Sequence, residues 1–253
     1  MTGMEKTIIG ARRTAAPRTP SFPGFPPEAL AFFRSLERNN RREWFQPRKQ
    51  VFDEKVRGPM IELVEALNAA LMQFAPAYVQ EPASAIYRIY RDTRFSHDKT
   101  PYKTHIAAIF PRRGLQKHSS AGFYVAVSPK GIDVGGGIYM PTTGDLRTVR
   151  RHLSAHHEEF RALVGARSLR TLMGELQGEQ LSRPPKGFPK DHPAADLVRY
   201  KQWYLFVTLA PELATTPRLL PELVKRFRAL TPFMELLNAP LAGTKKKPPV
   251  LWD

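Results

Sequence analysis

The spacing of apolar residues changes period twice along the chain. Phe22 and Phe25 lead through Pro26-Pro27 into a stretch with Leu30, Phe33 and Leu36 on one face, and proline suits the first turn of the helix this predicts. Asn39-Asn40 marks its stop. A second helix carries Trp44, Phe45 and Phe52 as far as Gly58-Pro59, after which Met60, Leu63, Val64, Leu67, Leu71 and Phe74 recur at helical spacing. Pro76 and Pro82 close this helical region. From Ile86 the pattern shifts to short runs of β-branched and aromatic residues, predicting strands over 86–90, 105–110, 122–128 and 132–139. The turn Ser128-Pro129-Lys130-Gly131 joins the last two as a hairpin. Gly135-Gly136-Gly137 weakens a strand unless the strand bulges or something approaches its backbone, so this run marks a bulge or a ligand floor.

Helical spacing returns at Leu146, Val149, Leu153, Phe160, Leu163 and Val164, with Asp145 near the helix start and Arg147, Arg150 and Arg151 outside the apolar stripe. A short helix is expected over 169–176. The four prolines of SRPPKGFPKDHP forbid regular structure after it. Residues 197–203 are read as helical, 204–209 as a strand and 219–230 as a helix that Thr231-Pro232 interrupts before 233–237. The order is helices, an antiparallel sheet, then helices: an α+β protein with one domain over 21–240. Flanking it are a basic arm over residues 1–20, with Lys6, Arg12, Arg13 and Arg18, which is expected to be disordered, and a basic, proline-containing tail over 241–253, which is expected to be solvated and mobile.

Composition narrows the class. Among 253 residues, 42% are apolar and 25% charged, which suits an ordinary globular chain. Lys and Arg outnumber Asp and Glu by 39 to 23, a net charge of +16 that draws the protein to polyanions. No cysteine is present, so disulfides, Cys-type zinc sites, iron–sulfur clusters and thiol nucleophiles are excluded. No apolar run reaches the ~18 residues of a membrane span, and the N-terminus lacks the apolar core of a signal peptide. A soluble, cytoplasmic protein is expected, and the pattern specifies no oligomeric state.

The densest mixture of charge and aromatics is IYRIYRDTRFSHDKTPYKTHIAAIF, residues 86–110. Five cations (Arg88, Arg91, Arg94, Lys99 and Lys103) face Asp92 and Asp98 within it. Strand alternation would put charge on both faces, and a guanidinium turned inward requires a carboxylate or a bound anion. Arginine's planar fork suits phosphate or carboxylate, the lysines add point charge, and Tyr87, Tyr90 and Tyr102 offer hydroxyls or stacking faces. Two readings stand side by side: an anion pocket, or an Arg–Asp network that pins a loop to the sheet.

The string RIYRDTRFSHDKTPYKTH, with GFYVAVSP, VGGGIYMP and KGFPKDHPAADLVRYK, resembles a bacterial and fungal family of conserved hypothetical proteins, domain of unknown function 2461. The resemblance spans roughly residues 22–237. Its pattern falls on Arg88, Arg91, Asp92, Arg94, Phe95, Asp98, Lys99, Pro101, Tyr102 and Lys103. It implies a single α+β domain and brings no activity or cofactor. The later segment adds Asp191, His192, Asp196, Arg199 and Lys201; a helix from Ala194 would pair Asp196 with Arg199, and Arg199 and Lys201 would join the first cluster as ligand-binding residues.

His97 and His192, each beside an aspartate, are the general acid/base candidates together with Asp98. His152 and His156 sit one helical turn apart, but no HExxH accompanies them, and a metal is not expected. There is no GxSxG elbow, Walker A loop or GxGxxG fingerprint, so no cofactor is assigned. The sequence assigns no reaction. It leaves a protein binding an acidic small molecule through Arg88, Arg91, Asp92, Arg94, Lys99, Tyr102, Lys103, Arg199 and Lys201, with a nucleic-acid-binding module and a structural network as alternatives.

Overall fold

The computed structural model describes residues 21–94 and 96–242. The arm over 1–20 and nearly all of the tail lie outside them, while Leu241 and Ala242 belong to the last helix. The expected α+β architecture is present: helices on both sides in sequence of a four-stranded antiparallel sheet ordered β1-β2-β3-β4.

Helix α1 (Pro27–Arg38) starts on proline and buries Leu30, Phe33 and Leu36 as its spacing predicts. The expected break at Gly58-Pro59 does not occur. Short helices α2 (Arg42–Phe45) and α3 (Lys49–Phe52) run through a π-turn, Asp53–Arg57, into α4 (Gly58–Phe74). The π-turn is the physical reason: the Gly58 N–H reaches back five residues to the Asp53 carbonyl, shifting the ladder where Pro59 has no donor. One further turn, α5 (Pro82–Ala85), precedes the sheet.

Strands β1 (Ile106–Pro111), β2 (Gly122–Ser128) and β3 (Gly131–Ile138) match the predicted runs, with the hairpin at Ser128–Gly131. Residues 86–90 do not form the predicted strand. They touch β1 through the Ile86–Ala108 bridge and the Tyr87 N–H on the Ala107 carbonyl, then turn away. Ile89 and Arg91 pair instead with residues 101–103, the Lys103 N–H reaching Ile89 at 2.8 Å and the Arg91 N–H reaching Pro101 at 2.9 Å. The charges that strand alternation would place on both faces thus leave the sheet.

After the sheet come α6 (Thr143–Ala155), capped by Thr142 and Asp145, then α7 (His157–Gly165) and α8 (Arg167–Met173). Arg150, expected outside the apolar stripe of α6, is buried, with its guanidinium on the Tyr200 carbonyl at 2.9 Å. The helix expected over 197–203 shrinks to one 3-10 turn, Leu197–Arg199, because Trp203 already belongs to β4 (Trp203–Leu209).

Helix α9 (Leu219–Ala242) passes through Pro232 without interruption. An interior proline costs about 3 kcal/mol, but Phe227, Leu230, Phe233, Met234 and Leu237 are all fully buried around it, and that burial outweighs the lost hydrogen bond. Thr231 also donates its hydroxyl to the Phe227 carbonyl at 2.9 Å.

Cross-strand register puts Phe110, Phe123, Gly136 and Leu205 in one row on the face that receives α9. Phe123 stacks on Phe227 with centroids 4.6 Å apart. At Gly136, a Cβ would fall 3.1 Å from Leu230 Cδ1 and Met234 Sδ, so the missing side chain lets α9 seat against β3. The buried Asn238 amide then ties α9 to both backbone groups of Ala121 and to the Tyr78 hydroxyl.

Candidate ligand site on the open face of the sheet

The opposite face of the sheet floors a cleft of about 890 Å³. Its residues fall into cross-strand rows. One row reads Ala107–Ala126–Asp133–Thr208, the next Ile109–Tyr124–Gly135–Phe206 and the third Pro111–Gly122–Gly137–Tyr204. In the middle row, Tyr124 and Phe206 stack across Gly135 with centroids 6.4 Å apart. A Cβ at Gly135 would lie 2.8 Å from Phe206 Cδ2, so glycine is what lets this aromatic ridge close. In the third row, Gly137 has φ +138° and an added Cβ would meet the Trp203 carbonyl oxygen at 2.2 Å. The backbone therefore demands glycine there, and the result is a nearly bare strip of sheet beside the ridge.

The wall along the β1 edge is basic. Tyr87 stands at its centre, with Lys103 Nζ 5.1 Å and Lys117 Nζ 5.2 Å from the ring centroid. Each ammonium is anchored to one backbone carbonyl: Lys103 donates to Arg88 at 3.0 Å and Lys117 to Ser84 at 2.6 Å. An ammonium has three donors. His118 stacks beside Tyr87 at 6.0 Å between centroids, and the Tyr87 hydroxyl is 3.5 Å from His118 Nδ1. The Met140 N–H reaches the His118 carbonyl at 3.2 Å, closing the wall across to β3. Tyr139 packs edge-on against Tyr204 at 5.4 Å.

Electrostatics follow from this crowding. Burial lowers the pKa of Lys103, and the Arg88 charge adds to it. Burial lowers His105, Lys103 adds to this and Asp133 opposes it. Lys117 is lowered by burial, and His118 by burial and then by Lys117. The Tyr124 phenol is pushed up to about 12 by burial, with Asp133 contributing. Asp133 is the one carboxylate lining the cleft among the described residues, and it accepts the Thr208 hydroxyl at 2.7 Å. Two ammoniums and two imidazoles thus share a partly desolvated wall with little compensating charge, an arrangement that a bound anion relieves.

The residues singled out in the sequence are distributed unevenly. Lys103 lines the cleft, and with His105 it also lines a second, polar cavity of about 450 Å³ that holds Arg91, Asp98, Thr100 and Tyr102. Arg91 bonds to Asp98 and to the Thr100 hydroxyl. Arg94 forks onto Asp92 at 3.0 and 2.8 Å. Lys99 donates to the Thr93 carbonyl at 2.9 Å, and the Arg88 side chain is exposed. Tyr102 is buried and stacked on Phe45 at 4.2 Å, its backbone held by Asn40. Asp92 and Asp98 each titrate at about 2, chiefly because Arg94 and Arg91 respectively hydrogen-bond to them.

Arg199 and Lys201 do not join this group. They lie beyond β4, at the opposite edge of the sheet, where Arg199 Nε donates to the Leu181 carbonyl at 2.8 Å and Lys201 pairs with Glu179 at 2.9 Å. The expected Asp196–Arg199 pair is replaced by Asp196–Arg161 at 2.6 Å, because the segment makes only one 3-10 turn there. His97 is exposed, while His192 Nδ1 accepts the Ala194 N–H at 3.0 Å and its ring meets His157 edge-on. His152 and His156 do lie side by side, 4.1 Å between centroids, but no group of three or more metal-ligating residues forms among the described residues. Sequence reasoning missed Lys117, Tyr139, Tyr204 and Phe206 as site residues. The glycine run on β3 was the usable signal, since it identified the floor these side chains surround.

Fold and site together define an α+β protein whose sheet is packed by helices on one face and forms a basic, aromatic-lined cleft on the other. The chain belongs to the family described as Conserved hypothetical protein (DUF2461), whose sequence profile matches residues 28–236. No curated protein and no solved structure matches it. Among the described residues, no helix is long and apolar enough to cross a membrane.

Proposed function

We propose that this protein binds a phosphate- or carboxylate-bearing small molecule in the cleft over the open sheet face. The observation that carries the reading is the pair Lys103 and Lys117, both about 5 Å from the Tyr87 ring centroid, each held by one carbonyl and lining a cleft with a single carboxylate among its described residues. Lys103 comes from the charged segment 86–110 and Lys117 from the β1–β2 connection, so only the folded chain makes the pair. Two other cations of the segment fix the loop that delivers Lys103: Arg91 on Asp98 and Thr100, and Lys99 on the Thr93 carbonyl, close the excursion between the paired residues 89–91 and 101–103, whereas Arg94–Asp92 is a local pair within it. The lack of cysteine suits a cytoplasmic location for such a protein.

Calorimetric titration of the full chain with pyrophosphate at low salt tests the reading. Lys103→Ala and Lys117→Ala should each weaken binding by roughly ten-fold or more, since a charge-assisted hydrogen bond is worth about 1.5–3 kcal/mol. Arg94→Ala should leave affinity within about two-fold, the range expected for an exposed ion pair. Binding that ignores both lysines and fails in the Arg94 variant would move the site to the loop.

A further inference from the structure

We infer that the ligand of this cleft carries a planar aromatic or heteroaromatic ring on the same molecule as its anionic group, as an aromatic phosphate monoester of nucleotide size does. The inference rests on the anion reading above and adds to it the class of molecule. Size is the first argument. A cleft of about 890 Å³ lies at the upper end of the range that holds drug-sized organic molecules and far exceeds what an inorganic ion fills.

Shape is the second argument. Gly122 and Gly137 are directly paired across β2 and β3, leaving a bare strip of backbone between two aromatic boundaries. On one side rises the stacked Tyr124–Phe206 ridge, and on the other stand Tyr139 and Met140. A flat ring set in this slot gains faces and edges of neighbouring aromatics without displacing any side chain. Tyr139 and Met140 are 60% and 63% exposed, two of the few large apolar side chains so placed among the described residues, and both sit at this rim. Solvation of large apolar groups beside a glycine floor is unfavourable in the free protein, and a ring ligand removes it.

Polarity is the third. The cations gather at the β1 edge around Tyr87, while the aromatic and glycine surface extends over β2 to β4. The cleft is therefore bipolar, one end suited to a dianion and the other to an uncharged ring. A single-stranded nucleic acid would need cations repeated along the groove, and the groove instead presents Asp133 on β3.

The full chain is titrated with ribose 5-phosphate and with four ring-bearing esters: phenyl phosphate, AMP, GMP and UMP. At least one ring ester should bind about ten-fold or more tighter than ribose 5-phosphate, the gain that stacking a ring on aromatic side chains supplies. Tyr139→Ala, which truncates an exposed side chain and should leave the melting temperature unchanged, should collapse that ratio toward one. Lys117→Ala should weaken ring esters and ribose 5-phosphate together. If all five esters bind equally and depend on Lys117, the ring inference is overturned and the anion reading stands. If none binds, or binding ignores Lys103 and Lys117, both fall. A ten-nucleotide oligothymidylate that binds tighter than every mononucleotide and weakens steeply with salt would overturn the small-molecule class in favour of nucleic acid.

Discussion

Replacing Asn238 by alanine should be among the most damaging single changes outside the apolar core. Asn238 is completely buried in α9, where its amide accepts the Ala121 N–H at 2.9 Å, donates to the Ala121 carbonyl at 3.0 Å and donates to the Tyr78 hydroxyl at 3.0 Å. Truncation removes all three bonds and strands a backbone donor and acceptor away from water. Each buried group left without a partner costs about 1–3 kcal/mol, so the loss should be on the order of 3–5 kcal/mol. For a domain of this size that corresponds to roughly 6–20 °C in melting temperature. Urea unfolding and thermal melts of wild type, Asn238→Ala and Asn238→Leu would measure it. The leucine variant refills the volume but not the hydrogen bonds, so it should remain at least about 2 kcal/mol below wild type. A destabilisation under 1 kcal/mol in both would refute the assignment of this amide as the tie between α9 and β2. The consequence reaches the site, because Ala121 lies between Ser120 and Gly122, both of which line the cleft.

Three further outcomes are expected. Burial lowers the pKa of His105 and His118 and a bound anion raises both, so affinity for sulfate, an anion that does not titrate between pH 6 and 8, should increase from pH 8 to pH 6 with proton uptake detectable by calorimetry in buffers of different ionisation enthalpy. Affinity constant over that range would contradict the placement of the anion. Asp98 titrates at about 2 in the folded protein against 3.8 as its ordinary value, so its contribution is complete above pH 4 and disappears as pH falls through 2; hydrogen exchange at the Thr100 amide, which donates to Asp98 Oδ1 at 2.9 Å, should lose protection across that window. Gly137→Ala should destabilise strongly because φ is +138° and the Cβ meets the Trp203 carbonyl oxygen, whereas Gly144→Ala, whose nearest neighbour is 3.9 Å away in α6, should be neutral or mildly stabilising; equal melting temperatures would contradict the geometry of the floor.

Much of the fold was legible because local chemistry and tertiary context agree. Ser128-Pro129-Lys130-Gly131 is a turn by residue type, and the strands on either side are runs rich in apolar residues that the structure buries at most positions. The glycine run was legible as a marker but not in its meaning: Gly136 faces the core and seats α9, while Gly135 and Gly137 face the cleft. Pro232 misled because helix propensity is weak against a stripe of buried side chains, and Gly58-Pro59 misled because a π-turn absorbs the missing donor. The site was legible at Lys103 and not at Lys117. No periodicity links Tyr87 to a lysine thirty residues later; only the pairing of residues 86–87 with β1 and the course of the β1–β2 connection bring them together. Within residues 86–110, a charge cluster reads alike whether it holds a ligand or its own loop, and only the fold decides that Lys103, and not Arg88, Arg91, Arg94 or Lys99, lines the cleft.

The proposed anion site lies at Lys103 and Lys117 over the open sheet face. The most direct measurement is a ¹H–¹⁵N chemical-shift titration of the full chain with pyrophosphate. Saturable shifts should concentrate on Tyr87, Lys103, Lys117, His118 and Gly122. Shifts confined to residues 91–99, or to Arg199 and Lys201 at the far edge, would contradict it.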